Sequence, residues 1–366
     1  MNIFLSVIFC VFLSGLVYTP NFARTLLFAL CESDQSVDRN AKRGSTSPLE
    51  GGWGGDPCAS DTLQRYEFAH PQMGTTFRLI FYAQSEAQAQ SVSAQAFAIL
   101  DSMNACMSDY LPESELSRLC NTAGKGQAIR VSDDLWAILK LSNHFSSKTN
   151  CAFDATVGPL TRLWRRARNL KELPDSARVN AARQLVGFQN IAFKKDQRIE
   201  LKKLGMRLDL GGIAQGYAAD RCLKILQQNG IRQALADAGG DIALGDAPPG
   251  EAGWVIEIPS PIEAVTSSHR LNTSRTPTTL RLANCGITTS GATFRYLEVA
   301  GKRYSHIVDP RTGWGLTHRT LVTVQAPNAT EADAWATAIS VLGESGWQKL
   351  KQKPRKLKVW LTESKI

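Results

Sequence analysis

The sequence predicts an α+β fold with mostly antiparallel sheet and packed helices. Three observations predict it. Strand-like and helix-like runs do not alternate strictly along the 366 residues, as a parallel βαβ chain would require. Residues Ala234 to Leu244 read strand, Gly239-Gly240-Asp241, strand, with no helical stretch between the two strands. With 43% hydrophobic and 20% charged residues the chain is globular in composition, and its length suits one large domain or two smaller ones.

Residues 3–19 are apolar and uncharged, and a second apolar piece, Leu26 to Cys31, follows Arg24. This is the pattern of a secretory signal or N-terminal anchor, though without the usual basic start. Cys31 after Leu-Phe-Ala-Leu resembles a lipoprotein cleavage site, with Leu a poor fit just before the Cys. We therefore expect residues 1–31 to be a signal or anchor segment, with lipidation an option. Residues 32–64, rich in Ser, Gly, Asp and Pro, read as a flexible linker. Residues 65–366 are expected to form the folded domain, exported and associated with a membrane through the N-terminus.

Within that domain Arg65 to Tyr82 contains Met73-Gly74-Thr75 and then the alternation Phe77, Leu79, Phe81, a strand entered through a glycine. Ser85-x-x-Gln88 is a capping box ahead of a helical stripe, Val92, Ala96, Ile99, Met103 and Met107. That helix stops at Ser108-Asp109-Tyr110. A short Ser-rich piece ends at Asn121, and Ser132 caps a helix over about 133–146. Cys151 to Leu160 is irregular, and a basic helix follows around Leu163-Trp164. Met206 to Leu210 reads as a strand that meets Gly211-Gly212. A helix starts at once, with Ala214, Ala218, Cys222 and Ile225 on one face, closed by Asn229-Gly230. Trp254 to Pro259 is an alternating strand, 261–278 a polar loop or hairpin tip, and Asp309 to Gly313 a turn. Thr330 to Leu342 is a helix and Lys356 to Leu361 a closing strand.

Net charge is +9, much of it in two clusters, Arg162–Lys171 and Lys349–Lys358. These are solvated faces, or they attract anionic lipid or an acidic or phosphorylated ligand. No helix-turn-helix, RNA-binding signature or zinc spacing is present, so nucleic acid is not an expected partner. Eight cysteines are scattered without C-x-x-C, several inside apolar runs, which fits free buried thiols rather than a disulfide framework.

Several stretches carry candidate chemistry. Strand, Gly-Gly, helix brings bare backbone N–H groups to a phosphate at a helix N-terminus, although Gly-Gly also serves as a plain tight turn. Asp333 and Thr337 are i and i+4 on a helix, so a carboxylate and a hydroxyl leave one face together, a donor pair suited to Mg²⁺. Thr330-x-x-Asp333 also reads as a capping box, which would explain Asp333 without a metal. His306 enters the Asp309–Gly313 turn and is placed for general acid/base work or for a structural role.

Taken in order, Met73-Gly-Thr75, Ser114 to Asn121, Ala152 to Leu160, Asp209 to Asp220, Ala238-Gly-Gly-Asp241, Thr289-Ser-Gly291, His306 to Gly313 and Ala332 to Thr337 resemble the ApbE family of FAD:protein FMN transferases. The resemblance covers about residues 66–345. It implies an exported, often lipid-anchored enzyme at the periplasmic or outer face of the inner membrane. Such enzymes use Mg²⁺ to split FAD and place FMN on a Thr or Ser hydroxyl, releasing AMP. The implied acceptor is a flavoprotein subunit of a membrane redox complex bearing a Ser-Gly-Ala-Thr-like motif. By position, Met73, Tyr110, Ala152, Phe153, Asp154, Asp209, Gln215 and Ile307 are implied FAD contacts. Gly212, Asp333 and Thr337 are implied metal ligands, and His306 or Asp309 is implied to take the hydroxyl proton. Tyr110 and Phe153 are expected to supply aromatic surface to the flavin or adenine. Gln215 departs from the family, which often has a charged residue there, and Ala155 replaces its usual Pro. Gln215 keeps open a second reading, an FAD-binding or FAD-hydrolysing relative without transfer. Ser290-Gly-Ala-Thr293 itself resembles the acceptor motif, which raises Thr293 as a self-modification candidate.

Overall fold

The computed structural model describes residues 63–258, 278–291, 296–351 and 353–364. The N-terminal segment and linker, most of the 261–278 loop and Thr293 lie outside the described residues. In chain order the elements begin with the hairpin β1 (Gln64–Gln72) and β2 (Thr75–Ala83), then α1 (Glu86–Met107), α2 (Glu115–Cys120), β3 (Ile129–Arg130) and α3 (Asp133–Lys148). Next come α4 (Gly158–Leu170), α5 (Ser176–Arg183), β4 (Ile191–Phe193), β5 (Arg198–Leu201), α6 (Ala214–Gln228), β6 (Ala234–Ala238), β7 (Asp241–Leu244) and β8 (Trp254–Ile258). The chain closes with β9 (Thr278–Leu282), β10 (Cys285–Gly291), β11 (Tyr296–Val299), β12 (Lys302–Ser305), β13 (Arg319–Ala326), α7 (Ala329–Lys349) and β14 (Lys358–Ser364).

A seven-stranded sheet runs β1-β2-β6-β7-β10-β13-β14, and each of its strand pairs is antiparallel. The expected fold class therefore holds. Alternation on β2 divides the core. Phe77, Leu79 and Phe81 face the helical layer, where α1, α6 and α7 bring Leu100, Met103, Cys222 and Trp335. Ile80 faces the other way, to Leu235, Leu244 and Ile287, and is covered by Trp254, Ile256 and Leu282 of the β8–β9 hairpin. A third cluster, Leu160, Trp164, Val179, Tyr304 and Val308, joins α4 and α5 to β12 and the segment after it.

Local signals set most boundaries. Ser85 and Ser132 cap α1 and α3 by accepting from Gln88 and Leu135 N–H at 3.2 and 3.3 Å. At the end of α6, Ile231 N–H returns to Leu226 O at 3.0 Å around Gly230, whose φ is +80°. One expectation fails. Met206 to Leu210 is extended but joins no sheet. Its backbone donors are used elsewhere: Leu208 N–H goes to Cys120 Sγ at 3.2 Å and Asp209 N–H to Ala155 O at 2.8 Å. An apolar run alone does not say whether its backbone pairs with a strand or with a loop. Among the described residues no helix is long and apolar enough to cross a membrane.

Candidate active site

Helix α6 begins without a side-chain cap of its own. Its Gly216 N–H donates instead to Asp333 Oδ2 on α7 at 3.1 Å. In return Ala329 and Thr330 N–H, at the start of α7, donate to the Asp220 carboxylate of α6 at 2.9 and 2.8 Å. The helices approach this closely because Gly216 has no side chain: a Cβ there would lie 2.3 Å from Ala329 O. Gly212 is similar, since a Cβ would stand 3.0 Å from Thr337 Oγ1. Gly212, Asp333 and Thr337 are thus brought together, as their implied shared role requires. Asp333 is not capping its own helix. Asn328 is the N-cap of α7: its Oδ1 accepts from Glu331 N–H at 2.8 Å and its Nδ2 donates to Glu331 Oε1 at 3.1 Å.

Asp333 is 5% exposed, and Asp241, at the start of β7, is 8% exposed. Burial, with the charge of Asp241 adding, pushes the Asp333 carboxyl well above the usual carboxylate range. Burial likewise pushes Asp241 up to about 7, with Asp237 adding. Two buried acids that resist ionising are suited to a cation that offsets their charge. The donors on offer are oxygens, which fits Mg²⁺. Among the described residues no group of three or more His, Cys, Asp and Glu gathers as a self-sufficient metal cage. A site with so few protein ligands fits an ion that completes its shell with water and substrate phosphate. Asp241 was legible only as part of the Gly-Gly-Asp motif; its pairing with Asp333 is a tertiary fact.

Met73 and Gly74 form the two-residue turn between β1 and β2, with φ of +51° and +74°. The adjoining Thr75 packs on the second glycine turn, where a Cβ on Gly239 would lie 2.1 Å from Thr75 Oγ1. Gly240 N–H donates to Asp237 Oδ1 at 2.8 Å, and Asp237 is paired with Arg78 at 2.7 Å. Ala152 and Ile307 share a small cluster with Leu316 and Val341, and Val341 lies one turn beyond Thr337 on α7. Asn150 and Cys151, with φ of +52° and +59°, turn the chain out of α3 into Ala152. Gln215 is half-buried in the first turn of α6.

Two expected contacts change character. The Phe153 ring is buried edge-on against Phe145, with centroids 6.2 Å apart, so it is core and offers no aromatic face to a flavin. Asp154 is 4% exposed and engaged within the protein: Oδ1 accepts from Thr156 N–H at 2.8 Å and from its hydroxyl at 2.6 Å, and Oδ2 from Phe188 N–H at 3.0 Å. It shapes the 150–157 loop from within. Asp309 is similarly occupied, accepting from Arg311 Nε and Nη2, each at 2.9 Å. His306 sits half-buried on the bend after β12, next to Ile307. The turn beyond it is pinned by Trp164 Nε1 donating to Gly313 O at 2.9 Å.

Asp209 and Tyr110 are joined by a residue that the sequence presented only as part of a basic cluster. Arg165 on α4 donates to Asp209 Oδ2 at 2.8 Å and also to Asp109. Its guanidinium lies 4.2 Å from the centre of the Tyr110 ring. The other Asp209 oxygen accepts from Gly211 N–H at 2.8 Å. No local pattern signals such a cluster, because its members come from three separate segments.

With this geometry in place, known proteins were compared. The profile of the ApbE family matches residues 73–361. A Klebsiella pneumoniae (strain 342) protein named FAD:protein FMN transferase is 33% identical over 281 residues, covering 74% of this chain and 77% of that protein. One of the same name from Treponema pallidum (strain Nichols) is 30% identical over 298 residues, covering 77% and 80%. Among solved structures, the flavin transferase ApbE from Vibrio cholerae is 26% identical with a TM-score of 0.71, over 83% of this chain and 97% of that one. The ApbE protein of Thermotoga maritima is 28% identical with a TM-score of 0.69, over 78% and 90%. The match spans far more than half of the chain, in sequence and in fold alike, and on that ground this protein belongs to the ApbE family.

Proposed function

We propose that this chain is an FAD:protein FMN transferase. It moves FMN from FAD to a Thr or Ser hydroxyl of an acceptor flavoprotein and releases AMP. The observation that carries the reading is the meeting of Gly212, Asp333 and Thr337 where α6 begins. The names of its relatives support it. Asp333 and Thr337, with the backbone at Gly212, would hold Mg²⁺, and the ion would supply charge neutralisation for the pyrophosphate.

The chain's own residues do the rest. The Gly212 N–H meets a phosphate oxygen at the start of α6, while Asp209 holds the Gly211 N–H and so fixes the turn. Tyr110 and Met73 offer side-chain surface to the ring systems, and Ala152 to Asp154 offer backbone. Asp209 and Gln215 flank the Gly-Gly turn. The acceptor oxygen forms a bond to the FMN phosphorus, the pyrophosphate bridge breaks, and AMP leaves with the bridging oxygen. His306, the imidazole that enters the Asp309–Gly313 turn, takes the hydroxyl proton.

The acceptor is a subunit of a membrane redox complex with a Ser-Gly-Ala-Thr-like motif. Residues 1–31 export the chain and hold it at the periplasmic or outer face of the inner membrane. One specific feature favours the second reading: Gln215 brings no charge to the pyrophosphate side of the site, as suits a relative that binds or hydrolyses FAD. The deciding experiment mixes purified chain, FAD, Mg²⁺ and an acceptor bearing Ser-Gly-Ala-Thr. Flavin fluorescence on the acceptor band supports transfer. FMN and AMP without labelling indicate a hydrolase, and neither product indicates a binder. The absence of added FMN mass on the chain incubated alone with FAD and Mg²⁺ would rule out self-modification at Thr293.

A further inference from the structure

Arg165 joins three residues of two separate segments, Asp109, Tyr110 and Asp209. Its two donated hydrogen bonds go to different carboxylates, Asp109 and Asp209, whose side chains are 15% and 9% exposed. Its planar face lies on Tyr110, which is 72% exposed and so has no core packing to hold its ring. Asp209 divides its oxygens, one to Arg165 and one to Gly211 N–H. A continuous path therefore runs from Tyr110 through Arg165 and Asp209 to Gly211, and Gly212 beyond it touches Thr337.

We infer that Arg165 is a positioning residue for FAD uptake, holding the Tyr110 ring and the Asp209–Gly212 turn at one fixed separation. The inference rests on reading this site as an FAD site. Its physical basis is the guanidinium: planar, always charged, with five N–H donors in a rigid fork. That shape serves two carboxylates at its edge and an aromatic ring at its face in one conformation. A lysine ammonium keeps the charge but has no planar face and no fork. Without the guanidinium, two half-enclosed carboxylates of like charge face each other, and both the ring and the turn lose their common anchor. Arg165 itself does not act on the reacting atoms.

The test uses the full chain with Arg165→Lys and Arg165→Ala. Three quantities are measured: KM for FAD, kcat with the Ser-Gly-Ala-Thr acceptor, and hydrogen exchange at Gly211 with no flavin present. Arg165→Lys is expected to raise KM about tenfold and change kcat by less than about threefold, since lost ground-state positioning moves KM. Arg165→Ala is expected to raise KM further, with Lys giving partial rescue. Gly211 exchange rises in both variants. Should Arg165→Ala fail to fold, Arg165→Lys carries the test, because it retains the charge and the apolar stem. An unchanged KM and unchanged Gly211 exchange in Arg165→Lys would overturn the inference, and so would a loss confined to kcat. A parent chain that binds no FAD refutes the proposed function instead. The Gly211 exchange then decides the positioning claim by itself.

Discussion

Asp333 and Asp220 each cap the helix that carries the other. Asp333 on α7 accepts from Gly216 N–H at the start of α6, and Asp220 on α6 accepts from Ala329 and Thr330 N–H at the start of α7. The acid implied as a metal ligand is thus also a structural member of the helix pair. The two roles separate by substitution. Asp333→Asn retains an oxygen for Gly216 and is expected to keep its melting temperature within a few degrees while transfer falls by at least about 100-fold. Asp220→Ala should cost about 1–2 kcal/mol of stability, as loss of a cap does, yet retain FAD binding in the folded fraction. Thermal melts and transfer assays on the pair check this. Equal rate losses in both variants would refute the division of roles.

The approach of Gly212 to Thr337 yields a steric prediction. Gly212→Ala places a Cβ 2.9 Å from Thr337 Cγ2 and 3.0 Å from its Oγ1. The hydroxyl must move, so the Mg²⁺ concentration for half-maximal activity is expected to rise about tenfold, by analogy with small displacements of catalytic groups. Gly240→Ala is the contrast. It meets nothing within 4 Å but carries a φ of +109°, so it should cost about 1 kcal/mol in backbone strain and leave the Mg²⁺ requirement alone. A Mg²⁺ titration of both variants distinguishes them.

The buried acids set a pH dependence. Asp241 is pushed up to about 7 and Asp333 well above its usual range. A carboxyl whose folded value is raised stabilises the fold fully below the unfolded value near 3.8, and loses that contribution as pH rises through the folded value. In EDTA, Asp241→Asn is therefore expected to be more stable than the parent at pH 8, by on the order of a few kcal/mol at most. The advantage should shrink at pH 5 and vanish only below the unfolded value near 3.8. Mg²⁺ should raise the parent's melting temperature more at pH 8 than at pH 5, because protons compete for the same oxygens. Calorimetry at both pH values, with and without Mg²⁺, tests both statements.

His306 and Asp309 lie three residues apart and are expected to behave differently. His306→Ala should lower transfer by about 10²–10⁴-fold, the range for a lost general base. Asp309→Asn breaks the pairing with Arg311, whose side chain is 38% exposed, and should cost about 1 kcal/mol of stability after solvent screening. Its effect on rate should be small. Transfer rates compare the two variants; a His306→Ala rate within about threefold of the parent would move the base assignment to another group.

Much of the fold was legible because its signals are local. Ser85, Ser132 and Asn229-Gly230 mark helix ends through hydrogen bonds that span only a few residues. The alternation at Phe77, Leu79 and Phe81 marks a strand with one face in the core. Met206 to Leu210 was misread because strand and extended loop share an apolar pattern and differ only in where their backbone bonds go. Phe153 was misassigned because an aromatic in a ligand-binding loop looks the same in sequence whether its ring turns to solvent or to the Phe145 edge.

The sequence by itself determined the fold class, the glycine turns, the i, i+4 relation of Asp333 and Thr337, and the family. Each depends on neighbours along the chain or on the order of motifs. Only the tertiary structure decided that Gly212 meets Thr337, that Asp241 burdens Asp333, and that Arg165 bridges Tyr110 to Asp209. These relations join segments far apart in sequence. Burial and like-charge repulsion, which give them their chemistry, arise only once packing has excluded water from between them.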